Sequence, residues 1–389
     1  MKGFLTILLL SATVFLFGQD KPKKYSVDGY LSYLNTNTFD SLKNPWSIDN
    51  ELYNRLNFSY FLNDDLTFTV QFRNRLIYGN TMLLIPSYSD FTGKDYGFVD
   101  MSFNVIDEKN LIFNVFIDRL NFTYSKGNLE VELGRQRINW GRTLVWNPND
   151  FFNSYSYFDF NYEEKPGSDA LRINYFTGPV SSVEFAMKVN SDNRATVAAK
   201  WLVNKWNYDF QIIAGEMNQR DYVAGFGWAG NIRNLGFKGE TSLFYPIDPD
   251  SSANRVFSAT ASLDYMFANS FMIMAQLLYT TIPDNSPIQN FSSYYYAQLN
   301  SKYLSFTEWN IFAQMSYPVT PLLNASLSGM YYPEIKGFFV NPMLTYSLSD
   351  NVEAGLIWQY FKGEFPDAVT GIKRMQQINM AFLRFKWNF

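Results

Sequence analysis

The side chains best suited to chemistry are concentrated in one short stretch, GRQRINWGRTLVWNPNDFFN, which spans residues 134–153. Its arginines carry planar guanidinium groups that bind carboxylates or phosphates, and its tryptophans offer faces on which a cation or a ligand can stack. The side chains that could form a ligand clamp are Trp140, Arg142, Trp146 and Asp150. The stretch is a catalytic loop, a ligand clamp or a structural turn, and the choice depends on the rest of the sequence.

The composition argues against catalysis. The sequence contains no histidine and no cysteine, so a histidine base, a thiolate nucleophile and the usual zinc ligands are all missing. We therefore expect no enzymatic activity, no metal and no cofactor. The formal net charge of −4 also lacks the basic excess that a nucleic-acid partner requires.

The N-terminus has the pattern of an export signal. A lysine at position 2 precedes a run of apolar and small residues from Phe4 to Phe17, which is too short for a membrane-spanning helix. This pattern is typical of a cleaved secretory signal peptide. We expect a signal peptide over residues 1–18 and a single domain over residues 19–389.

The mature chain reads as β-strands from end to end. Apolar and polar residues alternate with a period of two in about eighteen segments, although sixteen is an alternative number. The connections alternate between short turns and long loops, and aromatic residues lie near the strand ends. This combination predicts an all-β fold, a single transmembrane antiparallel up-and-down β-barrel with short periplasmic turns and long extracellular loops.

In such a barrel the charged residues of each strand line the lumen, because a charge that faces lipid is costly. Candidates for the lumen or its constriction are Arg55, Arg73, Arg75, Asp118, Arg119, Glu130, Glu132, Arg135, Arg137, Arg172, Glu308 and Glu353. Arginines are concentrated between residues 52 and 175, and acids between 184 and 360. The two walls either generate a field across the pore or neutralise their charges within each wall.

The alternation across the turn at residues 63–65 places Arg55 directly opposite Arg73. Like charges in this position are unfavourable, so an acidic partner or an anionic ligand is required. The loop carboxylates that could supply the partner are Asp150, Asp159 and Glu163.

Two shifts in the alternation, one between residues 117 and 120 and one beside Gly134, predict matched β-bulges. They would put Asp118 level with Arg135 and turn Arg135 toward the lumen. The residues after Gly134 continue the outward face at Ile138 and Trp140 in this interpretation. Asn147 and the following proline then predict the start of a short helix in a long loop, 139–168, that folds into the pore.

The C-terminus resembles the terminal signature of bacterial outer-membrane proteins, with alternating apolar residues that end in Phe385, Trp387 and Phe389. The strings GRQRINWG and WNPNDFFN also resemble an element of poorly characterised porin-like barrels. The resemblance implies insertion by the barrel-assembly machinery into the outer membrane of a Gram-negative bacterium. It further implies contact with lipid and lipopolysaccharide.

We therefore expect a porin-like channel for small hydrophilic solutes, including anions or saccharides, with a lumen narrowed by the loop 139–168. A wide, charged lumen of this kind resembles that of the alginate exporters. The alternative is a barrel that transports nothing and serves as a scaffold or accessory subunit, with a protein partner, in a secretion, assembly or surface complex.

Overall fold

The computed structural model describes residues 24–85, 88–153, 157, 160–248, 255–282, 300–366 and 373–389. The predicted signal peptide lies outside these ranges and stays a prediction. The strands of the described residues are β1 (Tyr25–Phe39), β2 (Ser47–Phe61), β3 (Leu66–Gly79), β4 (Ser102–Glu108), β5 (Leu111–Lys126), β6 (Leu129–Gln136), β7 (Ser168–Gly178), β8 (Ser181–Val189), β9 (Ala195–Lys205), β10 (Tyr208–Met217), β11 (Asp221–Ile232), β12 (Leu235–Pro246), β13 (Val256–Met266), β14 (Met272–Thr280), β15 (Trp309–Pro318), β16 (Leu323–Tyr332), β17 (Gly337–Ser349), β18 (Val352–Pro366) and β19 (Lys373–Asn388).

Eighteen of these strands form a closed antiparallel barrel, as predicted, and the alternative of sixteen is wrong. Each strand pairs with its neighbour in sequence except at β4, and β1 closes the barrel against β19. The start of β1 at Tyr25 and the end of β19 at Asn388 lie at the end of the barrel that carries the short turns. The long connections gather at the opposite end, which we call the long-loop end.

Two elements differ from the sequence expectation. Within the described residues, the additional strand β4 pairs with β5 alone, on the side where β6 has already ended. The strand expected to begin at Tyr303 begins at Trp309, because residues 300–308 turn inward and are mostly buried. Short helices occur at Thr81–Leu84, Tyr88–Gly93 and Pro333–Ile335.

The outer surface of the barrel is apolar and rich in aromatic residues. Tyr60, Phe122, Trp201, Trp358 and Trp387 are among the exposed large side chains. A band of this kind faces lipid in transmembrane barrels. Among the described residues, no helix has both the length and the apolar character needed to cross a bilayer.

The bulge predicted on β5 is present at Asp118. Gln71 of β3 pairs with Arg119, and Phe72 pairs with Ile117. Asp118 is therefore the extra residue, and the ladder resumes with the opposite parity on either side of it.

The prediction of a matching bulge beside Gly134 is wrong. β6 pairs in continuous register on both sides from Leu129 to Gln136. A Cβ at Gly134 would lie 2.2 Å from the backbone oxygen of Leu120, so the glycine serves the close approach of two strands. Arg135 consequently pairs with Leu120 and shares its outward face, instead of lying level with Asp118 in the lumen.

Candidate functional site

The connection from β6 to β7 comprises residues 137–167, and we call it the inward loop. Its described residues, 137–153, 157 and 160–167, run through the interior of the barrel. Its described residues contact the inner wall on most sides. The wall side chains that it contacts include Glu184 of β8, Lys200 of β9, Gln211 of β10, Glu240 and Ser242 of β12, Gln276 of β14, and Arg384 and Lys386 of β19. The loop therefore crosses the lumen and is fastened on both sides of it.

The principal anchor of the inward loop is the buried carboxylate of Glu240. It accepts the backbone N–H groups of Arg142, of Thr143 at 3.0 Å and of Asn149 at 2.9 Å. Hydrogen bonds to a charged acceptor contribute about 1.5–3 kcal/mol each. One side chain on β12 thus holds the two ends of the segment 142–149.

A glycine on β11 makes room for the same segment. A Cβ at Gly225 would lie 2.4 Å from Oδ1 of Asn149. Asn149 Nδ2 donates to the backbone oxygen of Phe226 at 3.0 Å, and its Oδ1 accepts the hydroxyl of Ser242 at 2.7 Å. The side chain of Asn149 therefore lies directly against the β11–β12 backbone.

The predicted short helix after Asn147 is wrong for the described part of the loop. A single turn forms there, in which the backbone N–H of Asp150 donates to the oxygen of Asn147 at 3.1 Å. The other backbone donors are satisfied elsewhere, because Asn147 Oδ1 accepts from Thr143 at 3.1 Å and Glu240 accepts from Asn149. The wall side chains replace the hydrogen bonds that a helix would have made.

Both tryptophans of the motif are buried inside the barrel. Trp140 donates its indole N–H to Oε1 of Glu184 at 2.7 Å, and the ammonium of Lys200 lies 5.1 Å from its ring centroid. Together with Ile138 it was expected on the outward face, and this expectation is wrong because the chain turns inward directly after β6. Trp146 packs edge-on against Phe312 of β15.

The other two clamp candidates are Arg142 and Asp150. The Nε of Arg142 donates to Oε1 of Gln211 at 2.9 Å. Burial raises the pKa of Asp150 to about 6, although Arg137 and Lys188 favour its charged form. These clamp candidates therefore contact the barrel wall or lie deep within the loop.

Apolar side chains also fill much of the space between the inward loop and the wall, although the alternation in the strands predicts a polar lumen. One buried cluster consists of Val145, Trp146, Leu278, Leu304, Phe312, Met330, Tyr332, Phe339, Phe361 and Phe365. A second consists of Ile138, Trp140, Phe151, Phe152, Ala170, Ala186, Ala198, Ile213, Met217, Val223, Phe244 and Val256. The sequence of β15–β18 indicates this packing, because apolar residues occupy both faces of these strands and the simple alternation breaks down.

The pairing of Arg55 with Arg73 across β2 and β3 is confirmed. Arg55 is fully buried and forms an ion pair with Asp118, the bulged residue of β5. Asp118 also accepts the hydroxyl of Tyr162 from the inward loop. The facing arginines therefore have as their acidic partner a wall residue that the bulge turns inward, and Oε2 of Glu164 in the inward loop lies 3.9 Å from Nη1 of Arg55.

The loop carboxylates proposed as that partner have other positions. Glu163 pairs with Lys386 at 2.7 Å, and Asp150 lies near Arg137 and Lys188. Asp159 is outside the described residues.

Arg73 has a different environment from Arg55. Its guanidinium lies 4.8 Å from the ring centroid of Phe116 and 4.3 Å from that of Tyr162. Among the described residues it forms no ion pair, and its buried Nε has no hydrogen-bond partner. The buried hydroxyl of Tyr53, on the same inner face, also has none in this part of the chain.

Most of the remaining lumen charges neutralise one another within the wall. The pairs are Arg75 with Glu51, Arg119 with Asp118, Arg172 with Glu130, Glu132 and Glu184, Lys238 with Asp264, and Arg384 with Glu353. Arg384 also pairs with Glu163 of the inward loop. Of the two possibilities that the sequence left open, pairing within the wall describes these residues. No group of three or more acidic residues in the described ranges could hold a metal ion.

Two lumen candidates lie elsewhere, and a third, Arg137, belongs to the inward loop inside the lumen, where it donates to the backbone oxygen of Glu164 at 3.3 Å. Arg135 is on the outward face. Glu308 is exposed at the long-loop end, just before β15. Its placement follows from the inward turn of residues 300–308, which delays the start of the strand.

The C-terminal signature takes part in barrel closure. Phe389 and Gly29 exchange two backbone hydrogen bonds of 3.0 Å. Phe385 and Trp387 are exposed on the outward face of β19. Their role in assembly stays a prediction.

Comparison with solved structures finds three β-barrels with a similar fold. OccK11 (OpdR) of Pseudomonas aeruginosa has a TM-score of 0.56 at 12% identity over 96% of this chain and 100% of its own. OccK3 (OpdO) of the same organism has a TM-score of 0.55 at 9% identity over 93% and 95%. OccAB3 of Acinetobacter baumannii has a TM-score of 0.55 at 12% identity over 93% and 99%. No family model and no curated protein matches the sequence.

Proposed function

We propose that this protein is a porin-like channel of the bacterial outer membrane, which passes small hydrophilic solutes through a lumen narrowed by the inward loop. The observation that carries the proposal is the course of this loop through a closed barrel with a charged inner wall. Anchorage to β8, β12, β14 and β19 would hold the loop as a fixed constriction. Selectivity in such a pore comes from its width and from the charges that line it.

We further propose that the channel favours anions over cations. The cluster at the inner face of β2, β3 and β5 contains four guanidinium groups, on Arg55, Arg73, Arg75 and Arg119, and three carboxylates, on Glu51, Asp118 and Glu164. Arg73 is the cation without a carboxylate of its own among the described residues. Each buried donor without an acceptor destabilises the folded protein by about 1–3 kcal/mol. An anion that accepts from these donors would remove this cost and would therefore bind.

The anion preference also has a geometric basis. The Arg73 guanidinium lies over the rings of Phe116 and Tyr162, which accept no conventional hydrogen bond, so its N–H groups can donate to an anion. The hydroxyl of Tyr53 is a further donor on the same inner face. A small anion at this position would meet donors from β2 and β3 together.

Liposome swelling tests the proposal. Vesicles that contain the refolded protein should swell in isotonic solutions of small hydrophilic solutes, and the rate should fall steeply as the solute size increases. Small organic anions should enter faster than uncharged solutes of equal size. A barrel that is correctly folded but admits no solute would contradict the channel, and equal rates for the anion and its uncharged analogue would contradict the anion preference.

One observation favours a second candidate function, a barrel that transports nothing and serves as a scaffold or accessory subunit. The two apolar clusters pack the inward loop tightly against the wall, as in the interior of a soluble domain. This function predicts that the same vesicles stay impermeable to every solute, while a partner protein is retained on the long-loop end.

A further inference from the structure

The barrel wall is unusually low at β6. This strand has eight residues, whereas β5 beside it has sixteen. A tilt of about 40° and a rise of about 3.4 Å per residue give β6 a height of about 18 Å. The apolar band of an outer-membrane barrel is about 25 Å tall. The wall above β6 and the start of β7 therefore needs another segment to complete it.

The segment Asp95–Met101, which we call the strap, lies in this position. At one end, the backbone oxygen of Tyr96 accepts the N–H of Ser191 at 3.1 Å, just beyond β8. At the other end, the oxygen of Met101 accepts the N–H of Ile117 on β5 at 3.0 Å. The strap thus spans the wall from β8 to β5 above the short strands.

The strap covers an ion pair on the outward face of the wall. Arg135 pairs with Asp169 of β7 at 2.7 Å, and the two residues are opposite each other in the ladder. Asp95 of the strap adds a second carboxylate at 2.6 Å, and the backbone oxygen of Val99 accepts from Arg135 at 2.6 Å. An arginine that faced lipid at mid-depth would be unfavourable by about 2–4 kcal/mol. The strap removes this cost, because only 2% of the surface of Arg135 remains exposed.

The outer side of the strap is apolar. Phe98 and Val99 are 56% and 47% exposed, and they lie over the wall residue Arg135. The exposed apolar surface continues into Phe103 of β4, which pairs with β5, and onto Leu133 of β6 below. A contiguous apolar surface of this kind needs an apolar partner.

We propose that the strap faces the acyl chains of the membrane and completes the lipid-facing wall of the barrel above β6 and β7. The partner is lipid because the strap continues the exposed apolar surface that β4 and β6 present on the outward side of the wall. Asp100, an exposed carboxylate in the strap, accepts the backbone N–H of Ser102 at 3.0 Å and so folds back along the chain. The inference rests on the proposed outer-membrane location but not on conduction.

Spin labelling tests this inference, because the sequence contains no cysteine and a single introduced one is labelled uniquely. The full chain carrying Phe98→Cys is refolded into phosphatidylcholine vesicles and labelled with a nitroxide. Collisions with oxygen, which concentrates in lipid, are compared with collisions with a water-soluble nickel chelate. Leu133→Cys in the belt is the lipid control, and Asp192→Cys in the exposed turn after β8 is the water control.

We expect the Phe98 label to match the Leu133 label, with oxygen collisions well above those with nickel. A Phe98 label that behaves like the Asp192 label would overturn the proposal. Val99→Cys provides an independent position, should Phe98→Cys fail to fold. If all three sites are equally accessible to nickel, the barrel has not inserted, and that outcome would contradict the membrane location itself.

Discussion

The carboxylate of Glu240 on β12 accepts the backbone N–H of Asn149 at 2.9 Å, and both groups are buried in the interior of the barrel. The same carboxylate binds the loop again at residues 142 and 143. Glu240 therefore holds both ends of the segment 142–149 against β12. The predictions below follow from this arrangement and from the charges around it.

Substitution of Glu240 by alanine should release the inward loop. The variant loses the acceptor of three hydrogen bonds and leaves backbone N–H groups buried without partners, at a cost of several kcal/mol, about 1–3 for each group. Trypsin should then cleave after Arg142 at least about tenfold faster than in the wild type, since about 1.4 kcal/mol already changes the open population tenfold. Glu308→Ala, at the exposed rim, is the control and should leave the rate unchanged. Equal protection in both variants would show that Glu240 is not the anchor.

Enlargement of Gly225 should displace the same segment from the opposite side. A valine there would place its Cβ within 2.4 Å of Asn149 Oδ1, a contact that the packed loop has to relieve by moving. We expect faster tryptic cleavage at Arg142, as for the Glu240 variant. Ala224→Val changes the neighbouring residue on the outward face, and its digestion should follow that of the wild type. If trypsin cleaves Gly225→Val and Ala224→Val at the same rate, the close approach of Asn149 to β11 does not hold the segment 142–149 in place.

Substitution of Arg73 by glutamine should weaken anion selectivity. Arg73 forms no ion pair among the described residues of its cluster, so its removal changes the net charge of the lumen without breaking an ion pair there. We expect the ratio of chloride to potassium permeability to fall by about a factor of two or more, a change of about 0.4 kcal/mol or more. Reversal potentials under a salt gradient measure it.

Lys362→Gln, on the outward side of β18, is the matched control for charge and should leave the reversal potential as it is. The double reversal Arg55→Glu with Arg73→Glu should shift the preference further toward cations. It also breaks the buried pair of Arg55 with Asp118, so Arg73→Gln is the cleaner variant. An unchanged reversal potential in Arg73→Gln would remove Arg73 from the selectivity of the pore.

The stability of the inward loop should depend on pH through Asp150. Burial raises its pKa to about 6 in the folded protein, above the value of about 3.9 in an unfolded chain. Its contribution to stability is therefore fully present below about pH 4 and is lost as the pH rises through 6. Urea unfolding in vesicles measures this effect. The free energy of unfolding of the wild type, relative to that of Asp150→Asn, should fall by up to about 3 kcal/mol between pH 4 and pH 7. A difference that does not vary over this range would show that Asp150 titrates normally.

The architecture could be predicted from the sequence because the period-two alternation repeats in every strand. The register of the first hairpin was equally accessible, since Arg55 opposite Arg73 follows from keeping two apolar faces aligned. The bulge at Asp118 was visible as a change of parity. These features depend on local pattern, which a single sequence contains.

The position of the motif was not accessible in the same way. The parity change beside Gly134 suggested a bulge, but the chain leaves the strand there and Trp140 turns inward to meet Glu184 on β8. Arg135 looked like a lumen residue because a charge on the outward face is unfavourable, and its cover is a strap some forty residues earlier, at Asp95. Long-range contacts of this kind leave no periodic signal in the segment that they bind.

The central claim, that the inward loop narrows a conducting channel, is tested most directly by single-channel recording in planar bilayers. The wild type should give stable ohmic steps of small conductance, and Glu240→Ala should give larger and noisier steps, because its loop no longer holds a fixed position. A correctly folded wild type that stays silent would contradict the claim, as would two proteins that conduct identically.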